Sequence, residues 1–131
     1  MPMSPSAIQK TNVGLNLLRD AMANNNLSVV KYVALGTGST TPTTGDTRLV
    51  NEVFRKAVTS YTNGATGELF INMYLAPGDS VGTDIEEVGF FGGATATSSA
   101  NSGILIARGL FSHNPKTNLE SIQFQLDQIF S

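Results

Sequence analysis

Apolar residues between residues 11 and 24 recur three and four positions apart. This spacing is typical of a helix that buries one face, so it predicts a helix over residues 11–24. Thr11 or Asn12 is the expected N-cap, because the side-chain oxygen of either residue type accepts a hydrogen bond from a free N–H group of the first turn. The asparagines at 24–26 predict its end, since asparagine tolerates the left-handed conformation of helix ends.

After the helix, apolar and polar positions alternate in the manner of half-buried strands. The alternation is clearest at residues 69–75 and 122–127, and the stretch 63–67 contains two glycines and has the length of a hairpin loop. The predicted strands lie at 29–36, 52–62, 68–77, 83–93, 103–112 and 120–130. Helical patterns do not alternate with these strands, so we expect a mainly β fold, an antiparallel β-sandwich or jelly-roll-like barrel with one N-terminal α-helix.

The pattern also predicts how the chain is divided. Residues 1–10, MPMSPSAIQK, are too polar to pack alone, and their two prolines favour an extended arm that orders against a partner. Residues 11–131 form a single β-rich domain, in which the low-complexity polar stretch 92–103 is an exposed loop. The first residues of the arm, Met1, Pro2 and Met3, are candidate interface residues.

Composition limits the classes of partner. Charged residues are only 14% of the chain, and ten carboxylates against eight basic residues give a formal net charge of −2 without a basic cluster, so a nucleic acid partner is not expected. With no cysteine, disulfides and thiolate sites are excluded. No apolar run approaches the roughly 20 residues that span a bilayer, and we expect a soluble chain without a membrane partner. A surface with so little charge is typical of one that meets other proteins.

The stretch ALGTGST at residues 34–40 follows an apolar run and resembles a phosphate-binding loop. Only Gly36 and Gly38 match the GxGxxG pattern, however, and neither a helical pattern nor the lysine of a P-loop follows. Ser39 lacks the flanking glycines of a GxSxG nucleophile elbow. We predict that no phosphate or cofactor binds here, and that one of the two glycines adopts a positive φ where the strand ends.

The titratable residues do not form a recognisable catalytic or metal site. His113 is the one histidine, and the Asn-Pro sequence after it predicts a surface turn rather than a general base. Glu86 and Glu87 are neighbours in a strand and so point to opposite faces. Asp84 and Glu86 share a face and, with Asp79, offer oxygen ligands for Ca²⁺, but the EF-hand spacing is absent and a solvated turn is favoured. We predict no catalytic residue, no metal and no cofactor.

Two consecutive aromatic residues, Phe90 and Phe91, lie in a predicted strand, where one of two neighbours normally faces away from the core. Core packing on both sides of the sheet is the favoured interpretation. If one ring is left uncovered, the alternative is that it forms an interface anchor, so both residues are candidate interface residues.

Three basic residues interrupt the apolar strands, namely Arg55, Lys56 and Arg108. We expect them to face solvent or to pair with carboxylates across strands. The candidate partners are Glu52, Glu86 and Glu87.

Four motifs in order along the chain carry a family resemblance. They are ALGTGSTTPTTGDTRLVNEVFRKAV, DIEEVGFFGG, ILIARG and the ProLysThr at 115–117. Over about residues 31–128 this pattern resembles the N-terminal, tail-collar fibre domain of tailed-bacteriophage tail fibres. The resemblance implies a virion structural protein, made in the host cytoplasm, that joins a fibre or adaptor to the tail collar or baseplate. It also implies contacts with other virion proteins, often as a trimer, and no catalysis.

The chain departs from that pattern, because we expect no shaft or receptor-binding tip after the last predicted strand. We expect either a domain used alone as a collar or tail adaptor, or the same fold used to decorate and cement the capsid, with tail attachment favoured by the motifs. A host-glycan-binding tail module is a further alternative. The chain has no tryptophan, and Tyr32, Tyr61 and Tyr74 lie within predicted strands, so the sequence offers little for a sugar site. A hydrolase is disfavoured by the single histidine and the lack of paired carboxylates.

Overall fold

The computed structural model describes residues 2–3, 7–24, 30–113 and 121–129 of the 131-residue chain. Nine strands and one helix are formed by these residues. In chain order they are β1 (Pro2–Met3), β2 (Ala7–Lys10), α1 (Asn12–Asn24), β3 (Val30–Gly36), β4 (Glu52–Ala57), β5 (Ser60–Asn63), β6 (Glu68–Leu75), β7 (Ile85–Gly92), β8 (Ile104–His113) and β9 (Ile122–Ile129). Among the described residues, no helix is long and apolar enough to cross a membrane.

The strands form two sheets that pack face to face. One sheet has four strands in the order β1-β9-β6-β5, and the other has five in the order β2-β8-β7-β3-β4. All pairings are antiparallel except that of β1 with β9, which is parallel and covers two residues. The predicted mainly β fold is confirmed, with antiparallel sheets and a single helix in the described part of the chain.

The main core lies between the sheets and follows the alternation of the sequence. The apolar residues predicted to share a face of β6 and β9 are buried there, namely Ile71, Met73, Leu75, Ile122, Phe124 and Leu126. The facing sheet contributes side chains of β3, β7 and β8, and the rings of Phe111 and Phe124 meet edge to face with their centroids 5.2 Å apart. These alternate residues of β6 and β9 are buried because the four-stranded sheet turns one face to the other sheet.

A second, smaller core covers the opposite face of the five-stranded sheet. It consists of Ala34, Leu49, Phe91 and Leu105. Leu49 comes from the connection between β3 and β4, residues 37–51, which we call the strap. The strap therefore closes a face that would otherwise be exposed to solvent.

Phe90 and Phe91 are both fully buried, with 0% of each residue exposed. Phe90 lies in the core between the sheets, whereas Phe91 belongs to the smaller core under the strap. Core packing on both sides of the sheet is thus the arrangement observed. The alternative of an exposed interface anchor is wrong for these two residues, because the strap and the Arg55 side chain cover the ring that faces away from the main core.

The run predicted as one strand at 52–62 is two strands in different sheets. β4 ends at Ala57 and β5 begins at Ser60. At the crossing, Val58 N donates to Lys31 O of the five-stranded sheet at 2.9 Å, and Thr59 N donates to Asn72 O of the four-stranded sheet at 2.8 Å. The predicted hairpin is confirmed, since β5 pairs with β6 across the loop at 64–67.

Helix α1 begins after Thr11, which is its N-cap. Gly14 N donates to Thr11 Oγ1 at 3.0 Å, and Thr11 Oγ1 itself donates to Leu105 O of β8. Thr11 N donates to Ile106 O at 3.1 Å, so the cap also fixes the start of the helix to β8. The predicted helix and its cap are confirmed.

Residues of the predicted arm pair with the chain's own sheets. Ala7–Lys10 pairs with β8 in register from Leu110 to Ala107, and Pro2–Met3 pairs with β9 at Gln123 and Phe124. Met1 and the side chains of Pro2 and Met3 lie outside the described residues, so their role at an interface stays a prediction.

Candidate functional site

The glycine loop after β3 binds a carboxylate that belongs to the chain itself. Gly38 N donates to Glu87 Oε2 at 2.8 Å. At the other end of the strap, Val50 N donates to Glu87 Oε1 at 3.0 Å and Asn51 N donates to Oε2 at 2.9 Å. The backbone N–H groups of the loop thus meet an anion, but that anion is the fully buried side chain of Glu87 in β7.

Arg108 of β8 completes this cluster. Its side chain is 1% exposed, and its Nε donates to Glu87 Oε1 at 2.9 Å. Its Nη1 lies 3.2 Å from Asp46 Oδ2, and its Nη2 donates to Thr40 Oγ1 at 3.4 Å, so the same guanidinium holds the middle of the strap. We call Glu87, its three backbone donors and Arg108 the Glu87 node. Of the alternatives that the sequence left open for Arg108, the structure shows pairing with Glu87.

The node stabilises the ionised form of Glu87. Burial alone raises the pKa of a carboxyl group, but hydrogen bonds from Asn51, Val50, Arg108 and Gly38 outweigh it, and the pKa of Glu87 is lowered. For Asp46, burial likewise acts to raise the pKa, whereas hydrogen bonds from Thr43 and the charge of Arg108 lower it by more. Both carboxylates are therefore held ionised in the folded chain.

We expect the node to make the chain sensitive to acid. Because the folded-state pKa values of Glu87 and Asp46 are lowered, their contribution to stability is complete above the unfolded-state values of about 4 and is lost as the pH falls through the folded-state values. Urea unfolding between pH 7 and pH 3 checks this. The free energy of unfolding should fall below about pH 4, and Glu87→Gln should flatten that fall; an unchanged pH profile in the variant would contradict the assignment.

Glycine is required at positions 36 and 38 because neighbouring atoms lie too close for a side chain, not because the backbone has a positive φ. A Cβ atom at Gly38 would lie 2.5 Å from Glu87 Oε2 and would overlap Val50, and one at Gly36 would lie 2.5 Å from Asn51 O. The prediction of a positive φ at one of these glycines is wrong. The described glycines with positive φ are Gly67, Gly82, Gly93 and Gly103.

Gly38→Ala is expected to lower the free energy of unfolding by about 2 kcal/mol, because the new methyl group displaces the Glu87 carboxylate or the Val50 side chain. Thermal and urea unfolding measure this effect. Gly78→Ala is the matched control, since nothing lies within 4 Å of a Cβ at that position and its φ is not positive. Equal stability of the two variants would count against the close approach at Gly38.

A second charged pair fixes the polar loop between β7 and β8. Arg55 donates from Nε and Nη2 to the two carboxylate oxygens of Glu52, and its guanidinium carbon lies 4.3 Å from the centroid of the Phe91 ring. Its Nη1 donates to Ser102 O at 2.8 Å, and Asn101 N donates to Glu52 Oε1 at 3.0 Å. Glu52 was among the candidate partners, but the pair forms within β4 rather than across strands. It holds an exposed, uncharged loop in one conformation.

The other candidate residues are not brought together. Lys56 pairs with Asp79, at 2.9 Å from Nζ to Oδ2, rather than with a glutamate across the strands. Asp79 also caps its own turn by accepting from Ala76 N. Within the described ranges, no three metal-ligating side chains of the His, Cys, Asp or Glu type converge on one point. His113 is the last residue of β8, and its side chain lies outside the described part.

The three tyrosines lie in strands, as predicted, but in different environments. Tyr32 packs beside the smaller core, whereas Tyr61 and Tyr74 are 53% and 44% exposed. Tyr74 pairs in register with Gln123 and so lies on the outer face of the four-stranded sheet. The period-two pattern contains this information, because Tyr74 alternates with the buried Met73 and Leu75.

No protein-family model, curated protein or solved structure matches the chain. The resemblance carried by its motifs is therefore a prediction. The functional argument depends on the contacts that these motifs make in the chain itself.

Proposed function

We propose that this chain is a structural protein of a tailed-bacteriophage virion that attaches a fibre or adaptor to the tail collar or baseplate. It acts by binding other virion proteins and performs no chemical step. The Glu87 node is the observation that supports this proposal. Gly38 and Asn51 belong to the first motif of the resemblance, Glu87 to the second and Arg108 to the third, and all meet at one carboxylate.

The convergence matters because short motifs recur by chance. Four separate short motifs are weak support for a family resemblance. Residues that complete one buried ion pair, in contrast, depend on one another physically. The order and spacing of the motifs then follow from a single folded unit, with the strap, β7 and β8 as its parts. This supports the interpretation that the likeness to the tail-collar fibre domain extends to the fold.

The surface of this unit suits contacts with other proteins. Val50 and Val53 are exposed although their backbones are held by the node and by β4, and the loop between β7 and β8 is uncharged and fixed by Arg55. Rigid, weakly charged groups lose little entropy on docking. We propose that the subunits associate as a trimer, each interface burying at least about 1,000 Å².

Immuno-gold microscopy of intact particles tests the location. Antibody raised against the purified chain should label the collar, baseplate or fibre attachment. The same antibody, first adsorbed with the purified chain as a control, should label nothing. Label on the capsid would favour the decoration alternative, and absence of the chain from purified particles would refute a virion role.

Light scattering after size-exclusion chromatography tests the assembly. The proposal expects a mass of about three chains, either alone or once the partner from the same particle is added. A monomer under both conditions would contradict the trimer. Equilibrium sedimentation over a range of concentrations is the independent check.

A further inference from the structure

The outer face of the four-stranded sheet carries an uncharged set of polar and aromatic side chains. By register Ser60, Asn72 and Gln125 lie side by side across β5, β6 and β9. We call this surface the amide face; its members are Ser60, Thr62, Phe70, Asn72, Tyr74, Gln123 and Gln125. Ser60, Thr62 and Tyr74 are exposed, and Phe70 and the two glutamines are half-buried.

A single amide organises this face. Asn72 Oδ1 accepts from Gln125 Nε2 at 3.1 Å and from Gln123 Nε2 at 3.3 Å. Its Nδ2 donates to Ser60 Oγ at 3.3 Å and to Thr62 Oγ1 at 3.4 Å. Both donors and both lone pairs of the Asn72 amide are thereby used, so this polar residue can be only 5% exposed without an unsatisfied group.

These bonds orient the neighbours of Asn72 but leave some of their hydrogen-bonding sites unused. A glutamine amide has two donor hydrogens and an acceptor oxygen, and a hydroxyl group has one donor and two acceptor sites. Each bond to Asn72 uses one site of Gln123, Gln125, Ser60 or Thr62. The face therefore presents fixed donors and acceptors to solvent, and such preorganised groups cost little entropy when they bind a ligand.

Two aromatic rings lie at the ends of this row. Tyr74 is 44% exposed, and Phe70 precedes it by four residues on the same face of β6, about 14 Å away along the strand. The faces of such rings provide a flat apolar surface with a negative quadrupole, which attracts the C–H groups of a flat ligand. Rings at both ends with amides between them match a ligand that alternates C–H faces and hydroxyl groups.

We propose that the amide face binds a neutral polysaccharide. Hydroxyl groups both donate and accept hydrogen bonds, as the amides and hydroxyls of this face require. At the Tyr74 end Lys56 is ion-paired with Asp79 and also donates to Tyr74 O. At the Phe70 end Glu68, two residues earlier in β6, is a carboxylate that accepts from Ala65 N. An anionic chain therefore meets no unbalanced positive charge at either end.

The shape and centre of the face favour this ligand over a second copy of the chain. A row of side chains that runs along and across the strands suits an extended polymer, whereas small ligands prefer concave pockets. Stable protein interfaces are centred on buried apolar or aromatic anchors, whereas this face is centred on the Asn72 amide and has its rings at the margin.

Native affinity electrophoresis tests the proposal with dextran, galactomannan and hydroxyethyl cellulose as neutral probes and polygalacturonate as the anionic one. At least one neutral polysaccharide should retard the chain, and polygalacturonate should not. Tyr74→Ala and Gln125→Ala should each weaken the retardation about tenfold. Tyr61→Ala is the matched control, because Tyr61 is an exposed tyrosine of the same sheet that pairs in register with the core residue Ile71 and should leave binding unchanged.

Circular dichroism and thermal midpoints check that each variant is folded. If Tyr74→Ala does not fold, Gln125→Ala still tests the proposal. Absence of retardation by all three neutral probes would overturn the proposal. Equal retardation of the wild type and both face variants would do the same. So would an oligomer of the wild type that Tyr74→Ala dissociates without any polysaccharide effect, since a second copy would then occupy the face. Particle location does not enter this experiment, so it stands or falls separately from the virion role.

Discussion

Glu87→Gln is expected to lower the free energy of unfolding by about 3 to 5 kcal/mol, the loss that follows when one partner of a buried ion pair is removed. Arg108 is 1% exposed and would keep its charge without an ionised partner. The amide cannot replace the carboxylate, because each oxygen of Glu87 accepts from two donors. Oε1 accepts from Val50 N and Arg108 Nε, and Oε2 accepts from Gly38 N and Asn51 N. Whichever oxygen becomes an NH₂ group then faces two donors.

Urea unfolding at pH 7 measures this loss. Glu86→Gln is the matched control, since Glu86 is the adjacent carboxylate of β7 and is only half-buried, so its loss should cost less than about 0.5 kcal/mol. In a double-mutant cycle, Glu87→Gln with Arg108→Met should cost less than the sum of the two single changes. A cost for Glu87→Gln no larger than that of Glu86→Gln would show that the node does not stabilise the fold.

Phe91→Ala is expected to lower the free energy of unfolding by about 3 to 5 kcal/mol, as large-to-small changes at buried aromatic residues do. The ring is fully buried against Ala34, Leu49 and Leu105, and it also supports the guanidinium of Arg55. The change therefore leaves a cavity beneath the strap and removes the surface on which Arg55 rests.

Chemical unfolding and light scattering together distinguish this role from that of an interface anchor. Phe91→Leu, the matched conservative variant, retains most of the apolar volume and should cost less than about 1.5 kcal/mol. The proposal for Phe91 expects a loss of stability with an unchanged oligomeric state. A variant as stable as the wild type but altered in assembly would contradict the buried position.

The strands and the helix could be predicted from the sequence because their patterns are local. The period of two along β6 and β9 predicts which side chains are buried. Thr11, a residue type typical of N-caps, predicts the start of α1. The division of residues 52–62 into β4 and β5 could not be predicted in this way. The alternation continues through Val58 and Thr59, and only their bonds to Lys31 and Asn72, in different sheets, show that the chain changes sheet there.

The site was predictable only in part, for the same reason. The sequence identified Arg108 and Glu87 as possible partners, since strand pairing brings such residues together. It did not show what approaches Gly38, because a glycine required by a neighbour 49 residues away has the same appearance in a sequence as one required by a positive φ. The exposure of Tyr74 could be predicted from its alternation with Met73 and Leu75, but its location within a strand does not by itself show which face it occupies.

The long sequence separations within the Glu87 node bear on how the chain folds. The Glu87 carboxylate meets donors 49 residues before it, at Gly38, and a partner 21 residues after it, at Arg108. The chain must close these loops before any of the bonds form, and until the strap closes the carboxylate remains hydrated. We therefore expect the node to form after the folding transition state, so that its loss speeds unfolding and leaves refolding nearly unchanged. The Glu87 node would then contribute to kinetic stability, because the unfolding rate determines how long a folded subunit persists.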